Sequence, residues 1–442
     1  MWYRVRCFIL IMAVLALGGC AAPQSPVGES RVARTVRESK GADKAARQTD
    51  PEQGEGQALS AGVNIKDKAA LAASETVSGD AVTDGDSEGV HLELWTYDGD
   101  HVAYYRKLLK KWNDEDPDYT IEMTFTTKPY DELHDSLLEA LRSGEGAPDI
   151  CDIDAYRFSE VTEGLDGWLY PLDVAVAPYL YDMHPARMDV YKASDGKRYG
   201  VPFRMGAAVQ YWNMEILAAV GITKNEVDAV NTWDDYNALG EKFDAAPGRG
   251  GKYFTVVDEE DAVWPMLAVA EYSNDPENTA NAAADMKNLY QGWISTQMAK
   301  SSNDISEDIA SGNVASFIGS LSYMDKFVED MRDMSGKWYI TKCPVFEEGQ
   351  PCSVCLDDTV TVITAQSKTA ALAADYTCYA KMYSDNAKSI LWPDLSYDIC
   401  NRTLWEDDDF AHDVTNEYDT FFQNYPYDVL REINERIATV KP

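Results

Sequence analysis

Positive charge is scarce in this 442-residue chain: 39 Lys and Arg stand against 75 Asp and Glu, for a net charge of −36. Gripping nucleic acid by its phosphates needs a basic footprint, so that class of partner is excluded. Histidine is scarcer still. The five residues, at 91, 101, 134, 184 and 412, fall in no metal-binding spacing. No second C-x-x-C accompanies Cys352 and Cys355, so the paired pattern of a zinc ribbon is missing. Beyond the first twenty residues no run approaches the roughly 20 apolar residues that a spanning helix needs. Aromatics are absent from Ala21 through Glu88, a stretch rich in Ala, Gly, Ser, Asp, Glu, Gln and Lys. Such a stretch cannot bury enough apolar surface to offset its ordering entropy. Residues 20–88 therefore read as a flexible tether. The folded part is expected at 89–442, enough for two domains.

The N-terminus decides the compartment. Met1 to Arg6 is short and basic through Arg4 and Arg6, and Phe8 to Leu17 is an unbroken apolar run. Leu17-Gly18-Gly19-Cys20 follows, so residues 1–19 read as a secretion signal. The tetrapeptide also resembles the bacterial lipobox. That resemblance implies cleavage before Cys20, diacylglycerol on its sulfur, and an extracytoplasmic protein lipid-anchored to the bacterial cell membrane. Multiple acyl chains anchor stably where one would not. The alternative is an ordinary cleaved signal with an incidental cysteine. Six later cysteines, at 151, 343, 352, 355, 378 and 400, permit disulfides outside the cytoplasm, but sequence does not give their pairing. Cys343, Cys352 and Cys355 lie close enough along the chain for a disulfide, a zinc ligand set or unpaired thiols.

Val90 to Tyr97 alternates with period two and predicts a strand. Val102, Tyr105, Leu108, Leu109 and Trp112 then recur at helical spacing. Tyr119 to Phe125 predicts a second strand, and Tyr130 to Leu141 a second helix that Gly144 is placed to end. Pro148 to Asp154 predicts a third strand. Strand, helix, strand, helix, strand opens a parallel α/β sheet. Ser194 to Lys197 is a turn. Thr232 and Asp235 approximate a capping box for a helix at Trp233. Further strands are expected at 314–318, 338–345 and 359–364, and helices at 286–293, 320–331, 369–383 and 427–439.

Leu94-Trp95-Thr96-Tyr97-Asp98, Pro148-Asp149-Ile150, Asp195 to Pro202, Tyr211-Trp212-Asn213, Thr232 to Tyr236, Gly312 to Ala315 and Pro344 to Gly349 occur in one order. Together they resemble the extracellular solute-binding proteins of family 1, the sugar receptors of ABC importers. The matches span about 92–368. The wording around Trp95 and Asp152 looks closest to arabinose or arabino-oligosaccharide receptors. The resemblance implies a two-lobed α/β fold of the type II periplasmic-binding-protein kind, hinged, with ligand in the inter-lobe cleft. One lobe would hold 89–203 plus about 350–385, the other 204–349 plus about 386–442. It implies a monomer that takes up a sugar by lobe closure and delivers it to a membrane permease, without cofactor or metal.

A sugar site needs fixed donors and acceptors for hydroxyls and flat aromatic rings for the sugar's C–H faces. Strand ends and family pattern together nominate Trp95, Tyr97, Asp98, Asp152, Asp154, Arg157, Phe203, Arg204, Trp264, Ser322, Tyr323, Asp357 and Asp358. Blander roles stand beside these. Trp95 suits a core, Asp152 or Asp154 a helix cap, and Arg204 an ion pair with the other lobe. Trp112, Trp233 and Tyr236 fall on helix faces and read as core. Gly85 to Gly89 matches the G-x-S-x-G hydrolase pattern, but it lies in the tether and not between strand and helix. Competing functions are a glycoside hydrolase using two cleft carboxylates, the same fold binding a polyamine, glycerol phosphate or peptide, and a surface lipoprotein that holds glycans without transport.

Overall fold

The computed structural model describes residues 74–77, 89–115, 120–162, 167–272, 276–356, 359–395 and 398–441. The signal segment, Cys20, Asp357 and Asp358 lie outside the described residues. The described residues belong to one compact unit.

The chain begins with β1 (Ser74–Val77) and β2 (Val90–Thr96). In β2 the alternation is realised directly: Leu92 and Leu94 are buried while His91 is exposed. Helix α1 (Gly99–Glu115) buries Tyr104, Tyr105, Leu108, Leu109 and Trp112 along one stripe. β3 (Ile121–Thr127) and α2 (Tyr130–Ser143) follow. Gly144 ends α2 at φ 81°, a left-handed conformation that a side chain would resist. β4 (Ile150–Asp154) and β5 (Gly200–Pro202) complete this pass.

The chain then crosses at 203–207 and builds a second sheet. Its elements are β6 (Ala208–Asn213), α3 (Trp233–Ala245), β7 (Tyr253–Val257), α4 (Val263–Glu271), α5 (Pro276–Ser295), β8 (Ala299–Ser301), β9 (Val314–Ser320), α6 (Met324–Asp330) and β10 (Trp338–Thr341). At the start of α3 the Thr232 hydroxyl accepts the Asp235 amide at 3.2 Å, and the Asp235 carboxylate accepts the Thr232 amide at 2.9 Å. β11 (Ser353–Val354) leads back to β12 (Thr359–Ile363) and α7 (Ala370–Met382). The tail carries α8 (Glu417–Phe421), α9 (Pro426–Ile433) and β13 (Ile437–Ala438).

The first sheet has the order β1-β3-β2-β4-β12-β5 and the second β10-β6-β9-β7-β8. In the first, β2 runs parallel to β3 and β4, while the returning β12 is antiparallel to β4 and β5. In the second, β7 is parallel to β8 and β9, and β6 is antiparallel to β9 and β10. Each sheet has its own core. That of the second lobe is strongly aromatic, with Trp212, Trp233, Tyr236, Phe254, Trp264 and Trp293 in one cluster.

The crossings are laced together between the lobes. Leu356 donates its amide to the Gly206 carbonyl at 2.7 Å. Asp398 accepts the Met205 amide on its carbonyl at 2.6 Å and the Gly206 amide on its carboxylate at 2.9 Å. Gly206 turns there with φ 60°.

Three expectations change. Within the expected tether, Ser74–Val77 adds an antiparallel edge strand beside β3, whose open edge offers unpaired backbone groups. The tail, expected with the second lobe, straddles both. The ring of His184 meets the Asn434 carbonyl at 2.9 Å on the first-lobe side, while Asn424 brackets the backbone of Ile340 at 3.0 and 2.8 Å on the second. The helix expected through Thr439 ends at Ile433, and Ile437–Ala438 pairs instead with β11.

Candidate functional site: an acidic cleft between two lobes

A cleft of about 610 Å³ opens where the lobes face each other. The first lobe contributes Asp98, Asp100, Tyr104 and Lys107 from the turn after β2 and the first turns of α1. The Asp98 carboxylate accepts the Asp100 amide at 2.8 Å and so starts that helix. The second lobe contributes the end of β9 and the start of α6, including Ser322, Tyr323, Asp325, Lys326 and Glu329. Ser320 turns the chain there: its hydroxyl accepts the Ser322 amide at 3.2 Å and meets the Ser322 hydroxyl at 2.6 Å. The Tyr323 hydroxyl donates to Ser306 at 2.7 Å. Arg204 and Leu356 line the hinge side, and Asp394 and Tyr418 come from the tail.

An ion pair joins the hinge side to the second lobe. Arg204 donates to the Asp325 carboxylate at 3.2 Å, with both side chains about one-fifth exposed. Burial pushes the Asp325 carboxyl up to about 7, against the pull of Arg204 and with a further push from Asp398. The other Asp325 oxygen, Oδ1, is buried with no hydrogen-bond partner. It is an acceptor that a ligand hydroxyl can satisfy. On the opposite wall Lys107 meets Asp394 at 2.5 Å. Acids, a guanidinium, serine hydroxyls and tyrosines around one cavity suit a neutral polyhydroxylated solute.

Of the residues nominated from the sequence, Asp98, Arg204, Ser322 and Tyr323 line this cleft. Tyr97 is half-buried beside it, its hydroxyl 2.6 Å from that of Thr359. Asp357 and Asp358 lie outside the described residues, and the other six are placed elsewhere. Trp95 is 8% exposed, donates to Glu93 at 2.7 Å and lies under the Lys128 ammonium at 4.1 Å. Asp152, expected in the cleft, is instead fully buried. It accepts from the Tyr105 hydroxyl at 3.0 Å and from His101 at 3.2 Å, with Thr361 also bonded and Lys381 at 3.8 Å. Phe203 is likewise interior, stacked on His101 at 3.9 Å with the Lys381 ammonium 3.2 Å from its ring centre. Trp264 is 2% exposed and packs near Trp233, Tyr290 and Trp293 in the second-lobe core. Asp154 accepts the Tyr156 amide at 2.7 Å as a cap, and Arg157 pairs with Glu160 at 2.8 Å. A strand end locates a residue along the sheet but does not say which way its side chain points, so interior and cleft positions were nominated together.

Sequence reasoning missed Asp100, Lys107, Asp325, Lys326, Glu329, Asp394 and Tyr418. Asp100, Ala103, Tyr104 and Lys107 share one helical face, so their spacing was a usable signal. Nothing local marks Asp394 or Tyr418. Among the described residues no three His, Cys, Asp or Glu are arranged to hold a metal ion. Cys151, Cys343, Cys352 and Cys378 are buried free thiols, and burial pushes each above its ordinary pKa. No described helix is long and apolar enough to cross a membrane.

The sequence pattern of the bacterial extracellular solute-binding proteins matches residues 98–377. The chain belongs to that family. An arabinooligosaccharide-binding protein of Halalkalibacterium halodurans is 32% identical over 81% of this chain and 82% of its own length. A second, from Bacillus subtilis, is 29% identical over 80% and 84%. The solved galacto-N-biose-/lacto-N-biose I-binding protein of Bifidobacterium longum superposes with a TM-score of 0.60 over 80% of this chain and 87% of that one, at 18% identity. So distant a likeness speaks for the fold alone. This solute-binding protein has the two-lobed, hinged type II architecture, and it serves as the extracytoplasmic substrate-binding component of an ABC importer.

Proposed function

We propose that this solute-binding protein captures an arabino-oligosaccharide in the cleft between its lobes and hands it intact to a membrane permease. One observation carries the reading: two relatives that span about four-fifths of the chain, at 32% and 29% identity, are arabinooligosaccharide-binding proteins. The cleft chemistry supports it. Asp98, Asp325, Arg204, Ser322 and Tyr323 offer hydroxyl partners in both donor and acceptor senses. Closure of the lobes requires tighter binding to the closed state than to the open one, and contacts drawn from both lobes provide that difference. The protein acts as a monomer, held at the membrane by a lipid on Cys20, and performs no chemistry on its cargo.

The test is a thermal-shift series on the chain lacking residues 1–19. Arabino-, xylo- and malto-oligosaccharides are the candidates, with putrescine and glycerol phosphate as contrasts. Ligand at about 100 times its dissociation constant adds roughly 2.7 kcal/mol, a rise of several degrees at roughly 2–4 °C per kcal/mol. A rise with arabino-oligosaccharides, with intact sugar recovered, supports the reading. A rise only with putrescine or glycerol phosphate, or cleavage of the sugar, overturns it.

A further inference from the structure

His101 lies in the first turn of α1 with a carboxylate at each end of its ring. Nδ1 is 3.2 Å from Asp152 Oδ2, and Nε2 is 3.8 Å from Asp98 Oδ2. The ring is buried and stacked on Phe203 in the crossing at 3.9 Å. Asp152 is fully buried, whereas the Asp98 side chain is about one-third exposed and lines the cleft. One imidazole therefore joins the interior of the first lobe to the ligand wall. The other titratable or charged groups around it are Tyr104 and Tyr105 of α1, Lys381 of α7 beside Asp152 and Phe203, and Arg204 next to Phe203 in the chain. Lys107 and Asp394 pair further along the helix. Burial raises both tyrosines well above their ordinary pKa, so they stay neutral.

The other two buried histidines are held differently. His134 Nε2 accepts the Asp154 amide at 2.9 Å, and His184 Nδ1 accepts the Ala186 amide at 3.2 Å. Each needs a lone pair at that nitrogen, and burial lowers both pKa values, so both rings stay neutral. His101 instead faces an acceptor at both nitrogens, while a neutral imidazole has a single N–H. Given to Asp152, that proton leaves a lone pair facing Asp98. Given to Asp98, it leaves a lone pair facing Asp152. Asp152 wins the competition, because a fully buried acceptor costs more to leave without its donor than one that water reaches. Only the imidazolium serves both carboxylates. Asp98 then has Oδ1 held by the Asp100 amide at 2.8 Å and Oδ2 held by His101. Each of its oxygens keeps a further lone pair for a sugar hydroxyl.

We propose that His101 is a proton-dependent positioning residue: its second proton fixes the cleft carboxylate Asp98 for the sugar, so that cargo is held more tightly as the medium turns mildly acidic. Asp152 sets this dependence by claiming the first proton. The inference rests on the arabino-oligosaccharide reading and adds to it the proton that governs affinity.

The test is calorimetric titration of arabinotriose at pH 8, 7 and 6 into the wild type, His101→Gln and Asp152→Ala, each at a temperature where it is folded. One proton taken up on binding changes affinity by roughly tenfold per pH unit at most, and the wild type should gain about fivefold from pH 8 to pH 6 beyond any gain in His101→Gln. Asp325 is common to all three proteins, so its own titration cancels from the comparison. Asp152→Ala frees the single proton of a neutral His101 for Asp98, so this variant should bind at pH 8 as tightly as the wild type binds at pH 6. A measurement on the wild type alone stands beside these. In ¹⁵N-labelled protein at pH 6 the His101 ring should show two protonated nitrogens where His134 and His184 show one. A bare His101 nitrogen at pH 6 overturns the proton-dependent positioning alone. So does a pH profile shared by the wild type and His101→Gln, or one that Asp152→Ala leaves unchanged. No binding of arabinotriose by the wild type at any of the three pH values overturns the arabino-oligosaccharide reading and the role of His101 with it.

Discussion

Replacing Asp152 by alanine should damage the fold and leave recognition intact. Asp152 is fully buried in the first lobe, bonded by Tyr105, His101 and Thr361, with the Lys381 ammonium at 3.8 Å. Burial by itself would raise its carboxyl. Lys381 and His101 outweigh that and hold it below its ordinary value. Removing the carboxylate takes the buried counter-charge from a lysine that is 3% exposed and an acceptor from a histidine that is 1% exposed. Breaking a buried pair in this way costs about 3–5 kcal/mol. At roughly 2–4 °C per kcal/mol the melting temperature falls by about 10 °C. The pH sign follows from the depressed value. The unfolded chain binds this proton first, so the group's stabilisation is present above the ordinary carboxylate pKa and is lost as pH falls through the folded value. Calorimetric melting at pH 7, paired with sugar affinity at a temperature where the variant is folded, decides the matter. A melting temperature within 2 °C of wild type (roughly 1 kcal/mol or less), or lost affinity at unchanged stability, refutes the reasoning and returns Asp152 to the ligand.

Asp325 has the opposite sign. Its folded-state pKa of about 7 lies above the ordinary 3.8, so the native state holds a proton that the unfolded chain releases, and this group's contribution falls as pH rises between these values. Asp325→Asn should flatten that part of the stability profile; a profile identical to wild type counts against it. Trp264→Ala empties part of the aromatic core and should cost about 3–5 kcal/mol, with sugar affinity of the folded fraction unchanged by titration calorimetry. Gly200 in β5 has no room for a methyl: a Cβ there runs into the Val360 side chain and comes within 3.1 Å of Tyr191. Gly200→Ala should therefore cost about 1–3 kcal/mol in denaturant unfolding, and a neutral result would show that β5 and β12 part easily.

Local pattern was sufficient for much of this molecule. The alternation of β2, the stripe of α1, the left-handed end at Gly144 and the Thr232–Asp235 cap all arise from residues within a few positions of one another, where period and capping chemistry act. The scarcity of basic residues and the apolar run before Cys20 are compositional and needed no fold. What only the tertiary structure decided is which polar residues face the cleft. Asp98 and Asp152 both stand near the carboxyl edge of the same sheet, yet one lines the cavity and the other is sealed beneath α1 by His101 and Tyr105. Lys107 finds Asp394, and Arg204 finds Asp325, across long separations in sequence that no periodicity spans. Trp264 looks like a cleft residue along the chain and becomes core once α4 and α5 pack together. Spacing along the chain sets which residues share a face of a strand or helix; what that face meets is set by elements that arrive from far along the chain.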